Sequence, residues 1–197
     1  MMRLETILER CKRGWFTLIA EIGVNYYDVA EKLNISLMEA AKFMVLAARN
    51  AGIHVAKFQT YKAETLASKH SPSYWDTSEE PITSQYELFK KFDAFGEAEY
   101  KELSGFCNRV GIEFCSTPFD FESADYLDSM MDVYKISSSD LTNLPFIKYV
   151  ARKNKPILLS TGASNLDEVR EAVDCIRHCN DRELVLLHCV LEYPTPY

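Results

Sequence analysis

Short apolar runs alternate with amphipathic stretches from one end of this chain to the other. Residues 16–22, 54–58, 113–116, 133–136, 157–160 and 184–188 have strand length and apolar character, and helical patterns lie between them. Ser36 and Glu39 are spaced as a capping box ahead of the stripe Leu37, Ala40, Ala41, Met44 and Ala48, and Gly52 closes that helix. A second helix carries Leu103, Phe106 and Val110 and stops at Gly111, so residues 51–55 (AGIHV) and 110–114 (VGIEF) repeat one helix-to-strand connection. Asn143 with Pro145 opens a third, and Asn165 with Glu168 a fourth, whose stripe is Leu166, Val169, Val173 and Ile176. Six strands alternating with helices predict an α/β fold with a parallel sheet.

Residues 60–85 break the rhythm. They are polar and aromatic, include Pro72, Trp75 and Pro81, and are too long for an ordinary strand-to-helix loop, which points to a binding segment.

Each predicted strand turns polar at its C-terminal end: Glu21, Lys57 with Gln59, Ser116 with Thr117, Lys135 with Ser137, Ser160 with Thr161, and His188. Barrel enzymes assemble their sites at that end of the sheet, which places this set in a barrel mouth. Side chains alternate along a strand, so Lys57 and Gln59 share a face. A lysine inside an apolar strand is expensive to bury without an anion, and Lys57 and Lys135 both sit in such runs. Two readings stay open: each lysine pairs with an internal carboxylate such as Glu21 or Asp140, or both meet an acidic ligand, with Thr117, Ser138 and Ser160 donating hydroxyl hydrogen bonds. His188, a histidine ending an apolar strand, fits a hydrogen-bonded core position more often than a ligand or base.

Composition narrows the function classes. A net charge of −7 and a pI near 5.2 argue against a nucleic-acid partner. No apolar run reaches the roughly 20 residues of a membrane span, and residues 1–13 lack a signal core, so a cytoplasmic location with no membrane partner is expected. The six cysteines form no CxxC pair and are expected to be reduced; Cys175, His178 and Cys179 share one helix side but lack a fourth ligand for zinc.

Residues 20–25 (AEIGVN), 57–60 (KFQT), 116–119 (STPF), 134–136 (YKI), 143–145 (NLP), 159–162 (LSTG), 187–189 (LHC) and 193–197 (YPTPY) stand in the order in which they occur in the N-acetylneuraminate (sialic acid) synthases. The chain resembles that family, which includes legionaminic and pseudaminic acid synthases. The resemblance implies a (β/α)8 barrel of which about six βα units are present. Residues 1–14 would then be an N-terminal extension and 15–197 a barrel domain truncated after the sixth strand, without the family's C-terminal antifreeze-like domain. It implies condensation of phosphoenolpyruvate with N-acetylmannosamine or a related amino-sugar aldehyde. Glu21, Lys57, Lys135 and His188 would be catalytic; Gln59, Thr117, Ser138, Asp140, Ser160 and Tyr193 would bind substrate. A divalent metal, Mn2+ or Mg2+, would polarise the aldehyde, with ligands outside this chain, and the full-length protein would be a homodimer. Tyr26 and Asp28 replace the family's usual histidine and glycine, and Asp140 its usual glutamate, which leaves the sugar open. The alternatives are another phosphoenolpyruvate-condensing barrel synthase and a non-catalytic assembly partner. The truncated chain alone is expected to be inactive.

Overall fold

The alternating pattern becomes six strands in a computed structural model that describes residues 12–78, 80–190 and 195. Strands β1 (Ile19–Gly23), β2 (Val55–Thr60) and β3 (Glu113–Pro118) form one parallel sheet in that order. Strands β4 (Tyr134–Ile136), β5 (Ile157–Ser160) and β6 (Leu184–Leu187) form a second, also parallel, and β3 lies beside β4 where the two sheets meet. The expected α/β fold with parallel strands is therefore present.

Eight α-helices connect the described strands: α1 (Tyr26–Leu33), α2 (Leu37–Asn50), α3 (Ala63–Leu66), α4 (Gln85–Lys91), α5 (Glu97–Val110), α6 (Phe121–Leu127), α7 (Leu144–Ala151) and α8 (Leu166–Arg177). Their ends follow local chemistry. The Ser36 hydroxyl accepts from the Glu39 amide at 3.2 Å, and the Glu39 carboxylate accepts from the Ser36 amide at 2.9 Å. Asn165 and Glu168 repeat the device at α8. The two matching connections are built alike: Gly52 and Gly111 take φ of 80° and 76°, and the next residue's amide reaches back to Ala48 and Cys107 carbonyls at 3.0 and 3.1 Å.

The core lies between the sheets and the helices. Ala56 and Phe58 of β2 point outward, where Phe58 stacks on Phe114 of β3 at 5.7 Å. Burying a side chain of that size contributes about 2–3 kcal/mol. Tyr26 is fully buried and stacks on Phe95 at 4.8 Å, which makes it a core residue.

Three details differ from expectation. Strand β1 begins at Ile19 instead of residue 16, with Trp15 and Phe16 62% and 75% exposed; hydrophobicity by itself did not separate the strand from its approach. Helix α1 was not anticipated, because its buried side is reduced to Tyr26 and Ala30. Strand β6 ends one residue before His188. The extension at residues 1–14 falls outside the described residues except for its last three positions.

Candidate functional site

Parallel strands present their alternate side chains in matching register, and the register here brings the polar strand ends together. Glu21 lies opposite Lys57, and Gln59 opposite Thr117, across successive ladders. Glu21, Lys57, Gln59, Thr117, Lys135 and Ser160 all line one cavity of about 290 Å3, with Ser137 and Ser138 at its side from the turn after β4. Its floor is apolar, supplied by Ile19, Leu158 and Leu187.

The Lys57 ammonium forms an ion pair with the Glu21 carboxylate and donates to Thr117 Oγ1 at 3.2 Å. The internal-carboxylate reading thus holds for Lys57. It does not extend to Lys135, whose Nζ donates to the neighbouring Ile136 carbonyl at 2.9 Å and, among the described residues, pairs with no carboxylate. Only 8% of Lys135 is exposed. Burial, followed by repulsion from Lys57, lowers its pKa to about 8. The cavity therefore sets two ammonium groups against one lining carboxylate.

The remaining expected residues divide. Ser138 accepts the Gly162 amide at 3.0 Å, so its hydroxyl proton stays available to a ligand. Gly162 has no room for a side chain: a Cβ there would lie 3.0 Å from Ser138 Oγ and 3.2 Å from Cys189 Cβ. Asp140 does not line the cavity. It is buried in the 3-10 turn Ser138–Asp140, with Oδ2 lacking a hydrogen-bond partner, and burial raises its pKa to about 6 against the lowering pull of Asn143 and Lys135. His188 is also outside the cavity and exposed, because Leu187 and Cys189 take the inward positions and leave His188 on the opposite face. That alternation was the signal that would have placed it. Ser116 likewise faces away, bonded to Thr60 Oγ1 at 2.6 Å. Tyr193 lies outside the described residues.

Sequence reasoning missed Cys189 and Phe119 as lining residues. Both follow strand ends at the inward parity, but neither residue type announces a site. The long segment after β2 is held by bonds within itself and by one to the start of α6. Ser73 N donates to Thr83 O at 2.9 Å, Trp75 Nε1 donates to Glu80 O and Ile82 O, and Thr65 Oγ1 donates to Asp120 at 2.9 Å. Among the described residues, no three or more His, Cys, Asp or Glu side chains converge to hold a metal ion. No described helix is long and apolar enough to cross a membrane.

Comparison with known proteins agrees with this arrangement. Residues 44–197 match the model of the NeuB family. The chain is 37% identical over 187 residues to an N,N'-diacetyllegionaminic acid synthase of Legionella pneumophila, covering 91% of this chain and 50% of that protein. It is 38% identical over 186 residues to the enzyme of the same name from Campylobacter jejuni, covering 91% and 53%. The crystal structure of N-acetylneuraminic acid (sialic acid) synthetase from Leptospira borgpetersenii, in complex with citrate, superposes with a TM-score of 0.74 at 26% identity, covering 91% of this chain and 55% of that one. The chain thus spans about half the length of the curated relatives it matches.

Proposed function

The chain belongs to the NeuB family, and on that premise we propose that its cavity is the phosphoenolpyruvate site of a nonulosonic acid synthase acting on an amino-sugar aldehyde. The observation that carries this reading is Lys135: a buried ammonium with no carboxylate partner among the described residues, sharing a small cavity with a second lysine. Such a charge is stabilised by an anion, and a ligand with both carboxylate and phosphate answers two lysines at once. Hydroxyls of Thr117, Ser138 and Ser160 then complete the cradle, at about 1.5–3 kcal/mol for each hydrogen bond to a charged oxygen.

In the proposed reaction the C2–C3 π electrons of phosphoenolpyruvate form the new bond to the aldehyde carbon, and the aldehyde oxygen takes up a proton. Water adds to the cationic C2 and gives its proton to Glu21, the carboxylate lining the cavity. The C2–O bond to phosphate then breaks, the leaving phosphate takes up the proton of the C2 hydroxyl and the C2 carbonyl forms, and the proton held by Glu21 balances the one taken up by the aldehyde oxygen. Gln59 and Tyr193 are assigned to the sugar by family likeness. His188 and Asp140, which lie outside the cavity, receive no contact role. The divalent metal expected for the family would polarise the aldehyde. The described residues do not make up its centre, and no step above passes through it. Because the chain spans about half of its curated relatives, turnover is proposed for the longer catalytic unit, in which further strands would continue from β1 and β6 to close a barrel.

Calorimetric titration of phosphoenolpyruvate tests the site directly. Binding is expected in the micromolar to millimolar range and is expected to be lost in Lys57→Met and Lys135→Met. Unchanged affinity in both variants would reject the assignment.

A further inference from the structure

Of the six cysteines, five lie among the described residues, and all five are free thiols. Cys107 and Cys115 are buried, and burial raises their pKa to about 12 and about 11, so neither is a nucleophile near neutral pH. Cys175 and Cys179 line a groove between α7 and α8 in which two cations, Lys148 and Arg152, are matched by two carboxylates, Glu171 and Asp174. Cys189 differs. It is half-buried and lines the anion cavity itself, where two ammonium groups stand against one carboxylate.

Cys189 follows β6 at the inward parity, and its Cβ and carbonyl pack against Gly162, where an added Cβ would lie 3.2 and 3.3 Å from them. Its Sγ donates to the Leu187 carbonyl at 3.5 Å, a weak bond in which the sulfur lone pairs take no part. Lys135 lies near enough for a charge on Cys189 to act on it, after burial and Lys57, in the direction that favours the ammonium. The Glu21 side chain, 54% exposed, marks the mouth, so a water-sized solute reaches the cavity from solvent. The independent sign of an anion is Lys135, buried and without a carboxylate partner among the described residues. An anion made on Cys189 would answer that ammonium from within the chain, in an electropositive and partly exposed setting of the kind in which thiols react.

We propose that Cys189 is a peroxide-sensitive modification site that closes the anion cavity: a hydroperoxide oxidises its thiol to a sulfenate, which takes the place of phosphoenolpyruvate at the ammonium pair. The proposal rests on the anion reading of the cavity and adds its regulation. In the step, the Cys189 sulfur attacks one peroxide oxygen, the S–O bond forms and the O–O bond breaks. Sulfur gives up two electrons, and the departing oxygen gains them and leaves as water with the thiol proton when the oxidant is hydrogen peroxide.

The test uses the full chain, reduced and then exposed to a few equivalents of hydrogen peroxide, with dimedone to trap sulfenic acid and peptide mass spectrometry to locate it. Label should appear on Cys189 ahead of the other cysteines, and saturating phosphoenolpyruvate should slow it. Without dimedone, calorimetry should show affinity for phosphoenolpyruvate falling at least about tenfold on oxidation, as for an anion about 5 Å from the ligand's charge at an effective dielectric of about 40, and returning with dithiothreitol. Cys189→Asp, which fixes a carboxylate at that position, should bind as weakly as the oxidised chain with no peroxide added, and Cys189→Ser should bind equally before and after peroxide. Label on Cys189 without loss of affinity, an equal loss in Cys189→Ser, or label that avoids Cys189 overturns the proposal. A reduced chain that does not bind phosphoenolpyruvate removes the anion reading and this site's role with it, whereas binding that survives oxidation of Cys189 removes the role alone.

Discussion

The pKa of Lys135 offers a measurement that tests anion binding through its dependence on pH. Burial and the neighbouring Lys57 bring this ammonium down to about 8 in the empty cavity, and an anion binds its charged form. At pH 7 about nine-tenths of the molecules carry the charge, and at pH 9 about one-tenth. Affinity for phosphoenolpyruvate should therefore fall about tenfold between those values, about 1.4 kcal/mol. The ligand's phosphate, with a second pKa near 6 in phosphate monoesters, is already a dianion across this window, so the slope reports the protein. Of the other ionisable groups around Lys135, Cys115 is pushed by burial to about 11 and Asp140 titrates near 6, both outside the window, and Cys189→Ser, which should keep the slope, separates the lysine from the cavity-lining thiol. The assay is isothermal calorimetry at pH 7, 8 and 9 in two buffers of different ionisation enthalpy. At pH 8, binding should take up about half a proton per ligand. Lys135→Met should show no measurable binding at any of the three pH values. An affinity flat from pH 7 to 9, or the same slope in Lys135→Met, refutes the reasoning.

Glu21→Gln removes the carboxylate that opposes the incoming anion; at an effective dielectric of about 40 and a separation of about 6 Å, phosphoenolpyruvate should bind about tenfold tighter, while turnover in a complete enzyme falls, and weaker binding would count against the charge balance described. Gly162→Ala forces the new methyl group against Ser138 Oγ and Cys189; thermal melts should show a loss of about 1–3 kcal/mol and calorimetry a weakened anion site, whereas an unaltered affinity would mean that Ser138 does not touch the ligand. Asp140 is raised by burial to about 6, so the folded state holds its proton more tightly than the unfolded chain does. That stabilisation is present at pH 4 and lost as pH rises through 6, by about 2–3 kcal/mol. Urea melts of Asp140→Asn should therefore gain on the parent by that amount between pH 4 and 7, and parallel curves would contradict it.

Much of this was legible because strand alternation is a strict rule. Lys57 and Gln59 two residues apart must share a face, and both line the cavity. The capping pairs at Ser36 and Asn165 were equally readable, since a short polar side chain three residues before a carboxylate closes a local ring of hydrogen bonds that no distant contact competes with. What was not legible depended on parity at strand ends and on partners far along the chain. His188 looked like a strand-end group, yet one residue of offset turned it outward. Asp140 lies close in sequence to the cavity residue Ser138, but the 3-10 turn folds it beneath the site. The aromatic cluster beside the site was foreshadowed by the length of residues 60–85, while its chemistry arises from Tyr61, Phe89 and Phe119 meeting from three separate stretches.

The two lysines, alike in sequence, are not alike in the fold. Lys57 carries its own counter-ion in Glu21 and a hydroxyl partner in Thr117, so its charge is accommodated before any ligand arrives. Lys135 has a backbone carbonyl from the next residue and little else among the described groups, and the depression of its pKa is the thermodynamic trace of that shortfall. A buried pair is weak evidence for function, because a pair can serve structure alone. A buried ammonium without a carboxylate partner is a cost to the fold, which the drop of its pKa from the ordinary lysine value to about 8 records. At the inward end of β4, within the same 290 Å3 as Lys57, it stands where an anionic ligand of the proposed kind would compensate its charge. The functional reading therefore depends on the uncompensated half of the pair, and Lys135 is where the chemistry of this chain is most exposed to test.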